Sequence, residues 1–293
     1  MANIIPPKSA KDILFKLSSH IEDFKKEIIS ESIISQLLDS HIDELHIKNI
    51  YVVDDKTAPD LLKSIDSKRI WSSPDKTHQV LGKCVPIKVK KSISNILFYN
   101  IAIYNRSKPL FYTIHHELGH AKDNYYRGDI KPFIYNETNH FFNPLNSYYI
   151  HIIKSEMAAC YYSYYASSED IIKSHLEIIG GIYSNRKNTL LAVNGFLVCD
   201  TIWIIIEEFC KIIANQIANP SLASISLDKP YEFPQALFEI LVSMKSEIIN
   251  HFESYSNYNK DFDNCLISNL IKLIEVMKFK FSTNEEGDFL INI

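Results

Sequence analysis

The sequence lacks several features that indicate common classes of protein. It has five cysteines in 293 residues, widely spaced and without a CxxC pair, so we expect reduced thiols rather than a disulfide framework. Its formal net charge is only -4 and its pI is near 6.3, which gives no global attraction to nucleic acid. Residues 1–10 contain no apolar signal core, so we expect a cytoplasmic protein or one secreted by a route that needs no signal peptide.

One apolar stretch raises the question of a membrane span. Residues 190–206 are largely apolar, but Asn194 and Asp200 interrupt them. An aspartate near the centre of a membrane helix costs about 2.5–3.5 kcal/mol on insertion scales, and the stretch is barely long enough to cross a bilayer. We therefore predict a buried core helix at this position and no membrane span.

The strongest signal is the sequence HELGH at residues 116–120, within a segment that we predict to be helical over residues 108–126. Histidines four residues apart lie one turn apart on the same face of a helix, so His116 and His120 can reach one metal ion. A zinc ion with three protein ligands keeps a position open for water and lowers the pKa of that water to about 7. Glu117 is our candidate for the general base. The pattern predicts a zinc hydrolase; the alternative is a packed surface helix.

The third metal ligand must come from another segment. The metzincin pattern is excluded, because Asp123 and Tyr126 occupy the positions where it needs a glycine and a further ligand. We predict Glu156, in a second helix over residues 147–166, as the donor; an exposed helix carboxylate is the ordinary alternative. Three other residues stay open as donors: Glu137, His140 and His151.

The two segments together resemble the catalytic core of the anthrax lethal factor group of gluzincins, which includes the Pro-Pro endopeptidases. The resemblance rests on an HExGHAxD helix, from His116 to Asp123, and on a later helix with Glu156 before an alanine-rich and aromatic run. It implies a zincin-like peptidase, and it implies that Tyr149 helps to stabilise the transition state. A phenol there would donate a hydrogen bond to the developing oxyanion. Cys160 departs from the pattern, because the lethal factor type has a second glutamate at that position.

A weaker resemblance leads to a different biology. The ImmA/IrrE-type metallopeptidases, which cleave bacterial repressors, also have an HELGH run and a later glutamate. That resemblance implies an intracellular regulatory protease, although we find no basic helix-turn-helix in the sequence. A non-catalytic helical interaction protein with a structural metal site is a further alternative. Entry of His140 or His151 as a fourth protein ligand would favour it.

The pattern along the chain predicts an α+β, mostly helical protein with a zincin-like core. We expect an N-terminal helical region at residues 1–46, the catalytic core at 47–166 and a helical C-terminal lobe at 167–293, which is either separate or continuous with the core. Ahead of the metal helix we predict strands at 46–53, 79–89 and 96–104 and a helix at 58–65. After the second helix we predict helices at 169–183, 187–217, 232–256 and 262–280.

One strand suggests how a substrate could bind. A strand over residues 96–104 that lies at a sheet edge could pair with an extended polypeptide, although its continuous apolar character favours an interior position. The sequence as a whole predicts a zinc-dependent endopeptidase that hydrolyses a peptide bond in a specific protein substrate. By resemblance it is toxin- or effector-like, with Zn²⁺ as its cofactor and a host cell as its place of action if it is secreted.

Overall fold

The computed structural model describes residues 3–5, 47–67, 71, 80–89, 92–100, 109–127, 147–163, 166–191, 195–252, 260–277, 280–283 and 289–292. The chain divides into two compact units, Met1–Pro132 and Phe133–Ile293. Helices dominate the described residues and a small sheet accompanies them, which confirms the α+β, mostly helical class. The predicted helical region at residues 1–46 lies outside the described residues except for residues 3–5, and the three-part division stays a prediction.

The first unit contains, in chain order, the elements β1 (Asn3–Ile5), β2 (Ile47–Val53), α1 (Ala58–Ile65), β3 (Gly82–Val89), β4 (Ser92–Asn100) and α2 (Pro109–Arg127). Its four described strands form a sheet in the order β1-β2-β4-β3. Strands β1, β2 and β4 are parallel to one another, and β3 is antiparallel to β4. The predicted strands and helices that fall on these elements are confirmed, whereas β1 was not predicted.

The two faces of the sheet pack against different helices. Successive residues of a strand point to opposite faces, and Ile96 and Phe98 of β4 are buried in an apolar cluster with residues of α1. Asn95, on the opposite face, is fully buried and contacts α2. Its amide donates to the carbonyl of Ala121 at 3.4 Å, and its side-chain oxygen accepts from the Asn124 amide at 3.0 Å. Asn95 therefore anchors α2 to the sheet.

Strand β4 is an interior strand. It pairs with β2 on one side and with β3 on the other. The hypothesis that residues 96–104 form an edge open to substrate is therefore wrong for residues 96–100, and residues 101–104 lie outside the described part of the chain. Among the described strands, β1 and β3 are the outer ones. Pro86 has no N–H to donate, and its place in β3 fits an outer strand.

The second unit is helical over most of its described length. Its elements are α3 (Ser147–Tyr162), α4 (Glu169–Leu191), α5 (Gly195–Ala218), α6 (Pro220–Ala223), α7 (Gln235–His251), α8 (Lys260–Val276), β5 (Lys280–Thr283) and β6 (Phe289–Asn292). Residues 187–191 extend α4, whereas they were predicted to open the following helix. The short helix α6 and the antiparallel strand pair of β5 and β6 were not predicted.

Helix α5 forms the centre of the second unit. It contacts α3, α4, α7 and α8, and the side chains of Trp203 and Phe209 are fully buried on it. Burying such a side chain contributes about 1.5–3 kcal/mol, so the apolar character of α5 is explained by packing within the unit. The predicted core helix is confirmed from Gly195 onward. None of the helices described in the structure is long and apolar enough to cross a membrane.

Candidate metal centre

Helix α2 carries the histidine pair. The rings of His116 and His120 are half-buried, their centroids are 4.8 Å apart and their planes are inclined at 86°. This arrangement follows from the four-residue spacing on a helix, which the structure forms from Pro109 to Arg127. Tyr112 lies one turn earlier, with its ring 5.7 Å from that of His116. The two imidazoles thus share one side of α2, as a common metal ion requires.

Glu117 lies against the start of β3. The residue is only 6% exposed, although it is charged in its ordinary state. A Cβ atom built on Gly82 would lie 2.7 Å from Cγ of Glu117 and 2.8 Å from its Oε1. The absence of a side chain at Gly82 therefore gives Glu117 its space. Sequence reasoning missed Gly82, since no local pattern connects it to the HELGH segment.

The other faces of α2 are buried around polar residues. His115 is 1% exposed, and burial lowers its pKa to about 4, so its imidazole is neutral at pH 7. Asp123 is fully buried one turn beyond His120. His115 therefore packs in the interior of the unit, and the accessible imidazoles are those of the HELGH motif.

Glu156 belongs to the second unit, on α3, where it joins a largely buried group of charges that we call the Lys211 cluster. The Lys211 ammonium lies 3.3 Å from Oε2 of Glu156, 2.8 Å from Oε1 of Glu207 and 2.8 Å from Oε1 of Glu208. Nδ1 of His175, on α4, lies 2.7 Å from the second oxygen of Glu208. Three carboxylates therefore share one lysine, and one of them, Glu208, also contacts a histidine.

Burial and neighbouring charges shift the pKa values of the Lys211 cluster in different directions. Burial raises the pKa of Glu207 to about 7, and Lys211 only partly opposes it. Burial also acts to raise the pKa of Glu208, but Lys211 and His175 outweigh it and lower the value to about 2. For Lys211 burial acts to lower the pKa, yet the three carboxylates hold it well above its usual range. The cluster is rich in negative charge, an environment that favours a bound cation.

Tyr149 lies near the start of α3, in a second polar group. Its hydroxyl donates to Oδ1 of Asp200 at 2.8 Å, and its ring stacks on Trp203 with centroids 5.6 Å apart. Arg186 donates to the other oxygen of Asp200 at 2.8 Å and to the hydroxyl of Thr201 at 3.2 Å. The Tyr149 proton is therefore directed to Asp200, and its predicted role at an oxyanion stays a prediction.

The two polar groups lie at two levels of the same three helices. Along α3, Tyr149 and Glu156 are about two turns apart, and along α5 Asp200 and Lys211 are about three turns apart, so each pair shares a face. Because Tyr149 meets Asp200 and Glu156 meets Lys211, α3 and α5 run in the same direction. The sequence analysis did not identify Asp200 and Lys211 as candidate functional residues, although two charged residues on one face of a mostly apolar helix indicate such a role.

The structure describes one of the three other predicted metal ligands. His151 is half-buried on α3. Glu137 and His140 lie outside the described residues. Cys160, where the sequence departs from the predicted pattern, is fully buried. Carboxylates of Glu207 and Glu208 contact Lys211 from α5.

Comparisons with protein-family models, with curated proteins and with solved structures find no match to this chain. The functional assignment consequently depends on the residues themselves.

Proposed function

We propose that this protein is a zinc-dependent endopeptidase of the gluzincin type, in which His116, His120 and Glu156 hold the metal and Glu117 is the general base. One observation carries the proposal: the HELGH segment forms a helix, with the rings of His116 and His120 on one side of it and their centroids 4.8 Å apart. Two imidazoles and one carboxylate are the donor set of several catalytic zinc sites, and they leave one position for water. The donor chemistry therefore fits zinc.

In this proposal each residue of the site has one role in peptide hydrolysis. Zinc, when bound, supplies a Lewis acid that polarises the scissile carbonyl and makes water a nucleophile near neutral pH. Glu117 accepts the proton of the attacking water and delivers it to the leaving amine. Lys211 holds one oxygen of Glu156 through an ion pair, which limits the orientations of that carboxylate. Tyr149 donates to the developing oxyanion after its hydroxyl leaves Asp200.

The substrate that we propose is a protein or peptide, cleaved at an internal bond. Toxin- or effector-like action belongs to the same proposal, through the resemblance of the HELGH and Glu156 segments. An extended peptide would place its carbonyl beside the histidine pair, where Glu117 adjoins β3. Peptide hydrolysis gives a role to each ionisable residue of the HELGH motif: His116 and His120 bind the metal, and Glu117 transfers the proton.

Metal content and cleavage, measured in the same samples, test the proposal. We expect one zinc per chain in the wild type and cleavage of peptides from a diverse library. Glu117→Gln should retain zinc and lose cleavage by a factor of about 10² or more, because the general base is absent. Glu156→Gln should lose or weaken zinc binding. Glu177→Gln, which alters an exposed glutamate on α4, should behave like the wild type.

Two results would contradict the proposal. A wild-type protein that binds no zinc when reconstituted has no catalytic metal of this kind. Undiminished cleavage by Glu117→Gln would show that another residue carries the proton.

A further inference from the structure

We propose that Gly82 is a positioning residue that fixes the carboxylate of Glu117, and this inference rests on the proposed function for its catalytic meaning. The evidence is steric. A Cβ atom at Gly82 would lie 2.7 Å from Cγ, 2.8 Å from Oε1 and 3.0 Å from Cδ of Glu117. Carbon atoms in van der Waals contact are about 3.5–4.0 Å apart, so a single added methyl group would overlap the glutamate along most of its length.

The requirement for glycine does not come from the backbone. Gly82 has no φ in the left-handed region, so alanine can adopt its conformation without strain. Gly82 is the first residue of β3 and pairs with Tyr99 of β4, which is itself buried. What glycine provides at this position is therefore space for Glu117.

Neither strand β3 nor helix α2 can easily move to relieve the overlap. Strand β3 is paired with β4 along its whole length, from Gly82 to Val89. Helix α2 is anchored to the same sheet by the hydrogen bonds of Asn95 to Ala121 and Asn124. An added methyl group would therefore displace the Glu117 side chain rather than the strand or the helix.

The overlap must be relieved at Cγ, which is the closest atom and lies nearer the backbone than the flexible end of the side chain does. The position of Cγ in Glu117 is set by rotation about χ1, and the staggered χ1 wells lie about 120° apart. One of the three wells is rare in helices because it clashes with the preceding turn, so few alternatives remain. Relief of the overlap moves the carboxylate away from its place beside the histidine pair. A misplacement of about 1 Å in a catalytic group can cost about 10²-fold in rate.

Two glycines of α4 give matched controls. A Cβ atom at Gly180 would lie 2.8 Å from Cβ of Pro230, so Gly180→Ala introduces a similar overlap at a place with no role in the proposed chemistry. A Cβ atom at Gly181 would meet nothing within 4 Å. Comparing the three alanine variants separates displacement of Glu117 from the general cost of an added methyl group.

The experiment uses the full chain reconstituted with zinc. For Gly82→Ala we expect one zinc per chain, a KM within about twofold of the wild type and a kcat lowered about 10²-fold. Gly180→Ala is expected to lower the melting temperature and to keep the wild-type kcat. Gly181→Ala should keep the kcat and raise the melting temperature slightly, because alanine is favoured over glycine by about 0.8–1.0 kcal/mol inside a helix. A crystal structure of Gly82→Ala should show the Glu117 carboxylate moved by more than 1 Å.

The outcomes for Gly82 and for the proposed function can be told apart. If the wild type cleaves peptides and Gly82→Ala cleaves them equally well, the positioning role is refuted and the peptidase assignment stands. If the wild type is inert, the peptidase assignment fails, and the position of Glu117 in the Gly82→Ala crystal structure decides the steric claim alone. An unmoved carboxylate in that structure overturns the inference in either case.

Discussion

Replacing Lys211 by methionine should destabilise the second unit strongly. Lys211 is the one lysine of a cluster with three carboxylates, and its side chain is 13% exposed. Methionine fills a similar volume without charge, so the change removes the ion pairs and keeps most of the packing. Removing one partner of a buried ion pair costs about 3–5 kcal/mol, because an uncompensated charge stays behind.

The ion pair between Lys187 and Glu232 provides the control. Its two side chains are 44% and 43% exposed, although the atoms lie only 3.0 Å apart. An exposed pair of this kind contributes about 0–1 kcal/mol. Lys187→Met should therefore change the free energy of unfolding by less than about 1 kcal/mol, and the difference between the two variants measures the effect of burial.

Urea unfolding at pH 7 can measure this difference. The chain has two tryptophans, and Trp71→Phe as a common background leaves the fully buried Trp203 of α5 as the fluorescent reporter. With a slope of about 3 kcal/mol per molar urea, a loss of 3–5 kcal/mol lowers the midpoint by about 1–2 M. Lys187→Met should lower it by less than about 0.3 M.

Charge balance predicts the behaviour of a double variant. Glu208→Gln removes the carboxylate whose pKa is lowered to about 2 and which is therefore ionised at pH 7, so Lys211→Met combined with Glu208→Gln should recover part of the lost stability. Zinc should also stabilise Lys211→Met more than the wild type if Glu156 binds it, because the dication replaces the missing charge. A Lys211→Met midpoint equal to that of Lys187→Met, or a double variant less stable than Lys211→Met, would refute the reasoning.

Two further predictions concern Tyr149 and the thiols. Tyr149→Phe keeps the ring that stacks on Trp203 and removes the hydroxyl that bonds to Asp200, so we expect a loss of about 1–2 kcal/mol in thermal unfolding. If Tyr149 also donates a hydrogen bond to the oxyanion, the kcat of the Tyr149→Phe variant should fall about 10²–10³-fold. An unchanged kcat would exclude that role. In native protein at pH 8, a thiol reagent should modify Cys84 first, because it is partly exposed. Burial raises the pKa of Cys199 to about 12, and simultaneous modification of all five thiols would contradict the packing. The thiols expected to react only on unfolding are Cys160, Cys199, Cys210 and Cys265.

The helix α2 and its histidine pair could be predicted because the relevant geometry is local. Residues four apart share a face whenever a helix forms, and the predicted bounds of residues 108–126 agree to within one residue with the observed helix Pro109–Arg127. No knowledge of distant contacts was needed for His116 and His120.

Contacts between distant segments could not be predicted in the same way. Gly82 meets Glu117 only because β3 pairs with β4 and α2 packs on the same sheet. The position of β4 in the sheet illustrates the same limit, since an apolar strand permits both an interior and an edge place until its neighbours are known. Strands β5 and β6 contain four residues each, too few for a period of two to be distinguished from a helix end.

The charges on α5 are difficult to explain by stability alone. Charged residues such as Asp200 and Lys211 on a mostly apolar helix lose hydration on burial, and well-packed apolar residues in place of whole ion pairs are often neutral or stabilising. Asp200 and Lys211 instead lie on one face of α5, each in contact with a polar residue of α3. The residues that they contact are Tyr149 and Glu156, the two that the HELGH resemblance had already identified on α3. Helix α5 therefore buries a charged residue at two places, each beside a candidate functional residue of α3. This supports a role for α5 in orienting α3.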